Sequence, residues 1–115
     1  MNKLVRCISR DGTLVIMAAD TTDMVERSQQ IHKTSAVTSA ALGRLLTASS
    51  LMGSMLKGEN ESITLRINGG GPAGTVMAFS DSSCNASVYV QHPLVEIHLN
   101  SKGKLDVAGA VGTDG

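Results

Sequence analysis

Aromatic residues are almost missing from this chain of 115 residues, which has one tyrosine, one phenylalanine and no tryptophan. Without rings on which bases could stack, a single-stranded nucleic-acid platform is excluded. An excess of one charge is missing too, because ten lysines and arginines balance ten aspartates and glutamates. No net field then draws the chain to nucleic acid or to an anionic membrane. The opening Met1-Asn2-Lys3 leads straight into an alternating segment, with no apolar stretch and small-residue cleavage site of a secretory signal. The cytosol is the expected compartment. Cysteine is scarce: Cys7 and Cys84 stand in opposite halves, far from any CxxC spacing, and His32, His92 and His98 are equally scattered. A zinc site needs three or four convergent donors, so no metal or other cofactor is expected in this chain. Cys7 reads as a small apolar strand residue and Cys84 as a loop thiol.

What is present suits one α+β domain, with 42% apolar residues to supply a core. Residues 4–9 and 13–19 read as strands joined by Arg10-Asp11-Gly12, where Asp-Gly supplies the positive φ angles of a tight hairpin. Thr21 or Thr22 is placed to cap a short helix with Met24, Ser28 and Ile31 at helical spacing, ending near His32 or Lys33. Residues 36–57 predict a long helix without proline, with Val37, Ala41, Leu45, Ala48, Met52, Met55 and Leu56 along one face. Ser39, Gly43, Thr47, Ser50 and Ser54 form a row of small side chains on the same helix, and Arg44 is its one charge before Lys57. Such a helix is expected to be covered on several sides. Its length could span a bilayer, but a central arginine and several hydroxyls make insertion costly, so no membrane is expected.

Residues 62–68 alternate cleanly, and 75–80 and 86–91 read as two further strands around a polar turn. The expected architecture is mainly antiparallel: an initial β-hairpin plus a three-strand meander, with two helices packed on one face. Asp114-Gly115 is a hairpin signal that lacks its second strand, and the preceding residues 105–111 are too apolar for a fraying terminus. The expectation is a truncated piece of a longer protein.

Gly69, Gly71 and Gly74 satisfy GxGxxG directly after a strand. In a dinucleotide-binding loop the last glycine opens a helix that meets the pyrophosphate. Here Pro72 sits inside the loop and Thr75-Val76-Met77-Ala78-Phe79 is strand-like, so a glycine-rich hairpin loop is the better reading. A small-ligand domain or enzyme using that loop remains the alternative, and a purely structural dimerisation module a third reading. No nucleophile and base stand in a recognisable catalytic order, so no enzyme is expected.

The runs Ala18-Ala19-Asp20-Thr21-Thr22-Asp23, Ser39-Ala40-Ala41-Leu42-Gly43-Arg44-Leu45-Leu46-Thr47-Ala48 and Leu51-Met52-Gly53-Ser54-Met55-Leu56-Lys57-Gly58 resemble the N-terminal domain of the thirty-three-kilodalton chaperonin family. Leu65-Arg66-Ile67-Asn68-Gly69-Gly70-Gly71-Pro72, Gly103-Lys104-Leu105-Asp106-Val107 and Gly112-Thr113-Asp114-Gly115 extend the resemblance over nearly the whole chain. The resemblance implies an ATP-independent holdase of the bacterial cytosol that binds unfolding proteins under oxidative and heat stress. It further implies a homodimer, and a C-terminal domain whose four cysteines hold Zn2+ when reduced and form disulfides when oxidised, unfolding a linker. Thiolates both bind zinc tightly and oxidise readily, so the two events share one chemistry. On this reading residues 1–115 are a single N-terminal chaperone core, and the zinc and redox domain is absent. Cys7 and Cys84 lie outside the matching runs and inherit no role.

Residues 13–18 and 76–79 are apolar at successive positions, so both faces of those strands carry apolar side chains. Helices on one side cover one face. Val15, Met17, Met77, Phe79 and Tyr89 are therefore expected near the outer surface, where they would bind clients, unless later chain finishes the core there.

Overall fold

Two segments rich in β-branched residues open the chain and pair with each other. A computed structural model describes residues 2–115. In it β1 (Asn2–Ile8) and β2 (Val15–Thr21) run antiparallel, with Asn2 opposite Thr21 and Ile8 opposite Val15. The connection is a six-residue loop, 9–14, longer than the tight Asp-Gly turn expected from the sequence. Ser9 N–H donates to Leu14 O, and the Asp11 carboxylate accepts from Ser9 Oγ at 2.6 Å, Thr13 Oγ1 at 2.8 Å and Thr13 N–H at 3.1 Å. Asp11 thus organises the loop through its side chain, while Gly12 supplies the one positive φ, 75°.

The first helix, α1 (Thr22–His32), follows without a loop. Its free N–H groups are met by Asp20, which accepts from Thr22 N–H and Oγ1, and by Asn2 Oδ1, which accepts from Met24 N–H. Neither Thr21 nor Thr22 caps it, contrary to expectation. Lys33, left-handed at φ 51°, closes it with an N–H bond to Gln29 O.

The central helix, α2 (Ala36–Ser54), packs on a second, three-stranded antiparallel sheet of β3 (Ser62–Ile67), β4 (Val76–Asp81) and β5 (Ala86–Val90), in the order β3-β4-β5. Its deepest residues are Leu42, Ser49 and Thr38, at most 1% exposed. Leu42 joins Val37, Leu45, Val76, Ala78 and Val90 in the main apolar cluster. The row of small side chains lets neighbouring elements come close: a Cβ on Gly43 would lie 2.7 Å from Val25 Cγ1 of α1, and Thr47 shares a 2.6 Å hydroxyl bond with Thr21 at the end of β2. Met52 and Met55, expected on the covered stripe, are exposed, because the last turn of the helix meets β4 through Gly53 instead, where a Cβ would lie 2.5 Å from Ser80 Oγ.

After β5 the chain passes across the start of α2. Thr38 Oγ1 donates to Pro93 O at 2.6 Å, Ser35 N–H donates to the same oxygen at 3.0 Å, and Val95 N–H donates to Ser35 Oγ at 3.0 Å. The apolar residues before the end form a short helix, α3 (Val107–Val111), where the sequence pointed to sheet. Asp106 caps it by accepting from Gly109 N–H. The Asp114-Gly115 pair forms no hairpin: Asp114 N–H donates to Gly69 O instead.

Candidate functional site

The meander has one face on α2 and one face bare. Along β4, Val76, Ala78 and Ser80 are buried while Met77 is half-buried and Phe79 exposed. The register puts Arg66, Met77 and Tyr89 in one row and Thr64, Phe79 and Ser87 in the next. Partners opposite each other share a face, so these six side chains make up the outer surface of the sheet. Phe79 is 39% and Tyr89 50% exposed. Both aromatic rings of the chain therefore stand on this face.

Val15 and Met17 belong to a different sheet. They alternate on one face of the hairpin with Leu4 and Ile8, and Met17 is half-buried where Val15 is exposed. The five residues expected to form one outer surface thus fall into two groups, one on each sheet. The hairpin has little cover on either side: Val5 and Ile16 on its other face are 41% and 56% exposed. Leu14 and Ile16 were legible only as strand residues, yet they are among the most exposed apolar side chains.

The glycine-rich loop is filled by the chain itself. Gly71 N–H donates to Val111 O, Ala73 N–H to Ala110 O, Gly74 N–H to Gly71 O and Gly70 N–H to Asn68 Oδ1, so these donors are spent within the chain. A Cβ on Gly71 would lie 2.5 Å from Ala110 O, and one on Gly69 would meet the Gly112 carbonyl. The glycines are there for close backbone approach. No helix opens from the loop, which removes the physical basis of a phosphate site.

Cys7 and Cys84 are both free and exposed, the second at the tip of the β4–β5 turn with a left-handed φ of 66°. That turn is held by Asp81, which accepts from Ser83 N–H, Asn85 N–H and Asn85 Nδ2; the Asn85 bonds foremost hold its carboxyl below the usual range. Among the described residues no three of His, Cys, Asp and Glu converge, so the side chains present do not fit a zinc ion. No helix among the described residues is long and apolar enough to cross a membrane.

A family model described as "Hsp33 protein" matches residues 2–115. The chain is 47% identical over 114 residues to a 33 kDa chaperonin of Alkaliphilus metalliredigens, covering 99% of this chain and 39% of that protein. It is 49% identical over 109 residues to a 33 kDa chaperonin of Acetivibrio thermocellus, covering 95% and 37% respectively. Among solved structures, the 33 kDa chaperonin (heat shock protein 33 homolog) of Thermotoga maritima superposes with a TM-score of 0.89 at 36% identity, over 95% of this chain and 37% of that one. The chain spans less than two fifths of the length of these relatives. With a matching family model over nearly its full length and the same fold in a solved relative, the chain belongs to the Hsp33 family.

Proposed function

We propose that this chain is the client-binding part of a heat-shock chaperone, a holdase that keeps unfolding proteins from aggregating without ATP and without catalysing a reaction. The observation that carries the reading is the bare outer face of the meander, where Met77, Phe79 and Tyr89 lie side by side. A large apolar side chain left in water forgoes about 1.5–3 kcal/mol of burial, so a cluster of them favours any apolar chain that covers it. The half-exposed hairpin around Val15 and Met17 adds a second apolar surface.

Redox control belongs, on this reading, to cysteines elsewhere in the full-length protein. There zinc held as a thiolate complex would be released on oxidation. Among the described residues no three metal-donor side chains converge, which supports placing the zinc ligands outside this chain. We further place the protein in the bacterial cytoplasm as a homodimer.

The test is Phe79→Glu with Tyr89→Glu in the full-length oxidised protein, followed by light scattering of a guanidinium-unfolded client after dilution. Loss of protection with an unchanged circular dichroism spectrum is expected. A folded double variant that protects as well as its parent would remove the outer face as the client surface. Val15→Glu with Met17→Glu, run in parallel, reads the hairpin's share.

A further inference from the structure

The strand β5 is an edge of its sheet, and its free side opens onto a groove rather than onto bulk solvent. The hydrogen-bond phase of the strand follows from its two ends. Asp81 N–H donates to Asn85 O and Gln91 N–H donates to Thr75 O, so residues 85, 87, 89 and 91 turn their backbone groups toward β4. Ala86, Val88 and Val90 then turn N–H and C=O outward, unpaired by any strand. The groove beside Ala86 and Val88 is bounded by α1 and has a volume of about 450 Å3. Met24, Ile31, Leu46 and Val88 give it an apolar lining, and Leu46 is 3% exposed while Ile31 is 59% exposed.

Its charge is one-sided. Arg27 and His32 are its ionisable lining side chains, and among the described residues no carboxylate lines it. Asp20 and Glu26 line a different depression, shared with Val25 and Gln29.

We infer that the β5 edge receives an extended segment of an unfolded polypeptide as an added strand, one whose side chains on one face are apolar and which carries a carboxylate for Arg27. This rests on the proposed client-binding function and gives it a mode. A strand added here would alternate its side chains between two existing surfaces: one set continues the outer face beside Ser87 and Tyr89, the other drops into the groove beside Ala86 and Val88. Backbone bonds to Ala86, Val88 and Val90 supply affinity that does not depend on client sequence. Arg27 at the groove sets the preference among clients.

The probes are two blocked hexapeptides, one alternating valine with glutamate and one alternating valine with lysine, titrated into the full-length oxidised protein while backbone amides are followed by NMR and hydrogen exchange. The glutamate peptide is expected to protect the amides of Ala86, Val88 and Val90 and to bind about tenfold more tightly than the lysine peptide. Arg27→Glu, an exposed substitution, is expected to reverse that order. Val88→Pro removes one outward N–H and is expected to weaken both peptides alike; if it does not fold, the Arg27 result and the exchange pattern still decide. Binding that leaves these three amides unprotected, an order unaffected by Arg27, or no binding by either peptide at millimolar concentration overturns the inference. Protection of the same amides by self-association alone, without peptide, also overturns it. If those results coincide with loss of client protection in the Phe79 and Tyr89 double variant, the outer face stands and the edge does not.

Discussion

Gly53 of α2 meets Ser80 of β4 so closely that a Cβ built on Gly53 would lie 2.5 Å from Ser80 Oγ and 2.9 Å from its Cβ. Ser80 is 1% exposed and its hydroxyl has no hydrogen-bond partner. The contact sets how near the last turns of the helix come to the sheet. Gly53→Ala gains about 1 kcal/mol of helix propensity, but overpacking against a strand costs about 1–3 kcal/mol. Net destabilisation is expected in urea denaturation. Ser80→Ala removes a buried hydroxyl that nothing satisfies, so it is expected to leave stability unchanged or to raise it by up to about 1 kcal/mol. A marked loss in Ser80→Ala would mean that the hydroxyl has a partner after all.

Asp11 yields a pH prediction. The Ser9 hydroxyl first, then the Thr13 N–H and hydroxyl, stabilise its charged form and lower its pKa from 3.8 to about 2. Because the folded value lies below the ordinary one, the contribution is fully present above about pH 4 and is lost as pH falls through 2. An NMR titration should give a carboxyl midpoint near 2, with the Thr13 amide shifting in step. Asp11→Asn should abolish that step while leaving β3–β5 untouched. A midpoint near 4 would show that the carboxylate does not hold the loop.

Much of this was legible in the sequence because the strands alternate or run apolar between clear turn residues, and because Ser62 to Ile67 shows its inner and outer faces outright. The orientation of α2 was not. Apolar residues lie nearly all round it, so periodicity could not say which face meets the sheet, and the answer lies in small and polar residues: Thr38, Ser49 and Gly53. The stripe drawn through Met52 and Met55 followed hydrophobicity where close approach decided. The α3 helix was hidden for another reason. Five residues carry little periodicity, and its start depends on a cap at Asp106 that looks like any loop aspartate. At the outer face, parity along β4 and β5 put Met77, Phe79 and Tyr89 together, whereas nothing local in β2 reveals that Val15 and Met17 sit on a separate sheet.

The clasp between the glycine-rich loop and the end of the chain can be tested with two alanines. Gly71→Ala puts a Cβ against Ala110 O and should cost about 1–3 kcal/mol by forcing residues 110–112 away. Gly103→Ala faces open space, but its φ of 72° is left-handed, so only the backbone term of about 1 kcal/mol is expected. Urea midpoints should therefore fall further for Gly71→Ala, and amide exchange at Ala73 should quicken only there. Equal losses would mean that the clasp adds nothing beyond glycine's conformational freedom.

Ser35 occupies the N-cap position of α2 but its hydroxyl makes no capping bond to the helix. It serves the crossing segment instead, donating to Val95 O at 2.8 Å and accepting from Val95 N–H at 3.0 Å. Val95 is 6% exposed, so Ser35→Ala strands two buried backbone groups and should cost about 1–3 kcal/mol. At an ordinary N-cap, aspartate replaces serine with little loss. Here it should fail to rescue, because a carboxylate can accept from Val95 N–H but cannot donate to Val95 O. Thr38→Val leaves Pro93 O its second donor, the Ser35 N–H, so a smaller loss is expected. Urea denaturation ranks the three variants, and amide exchange at Val95 locates the effect. Full rescue by Ser35→Asp would show that the residue works through the helix end, and that the exposed apolar side chains of Leu94, Ile97 and Leu99 are held in place by something else.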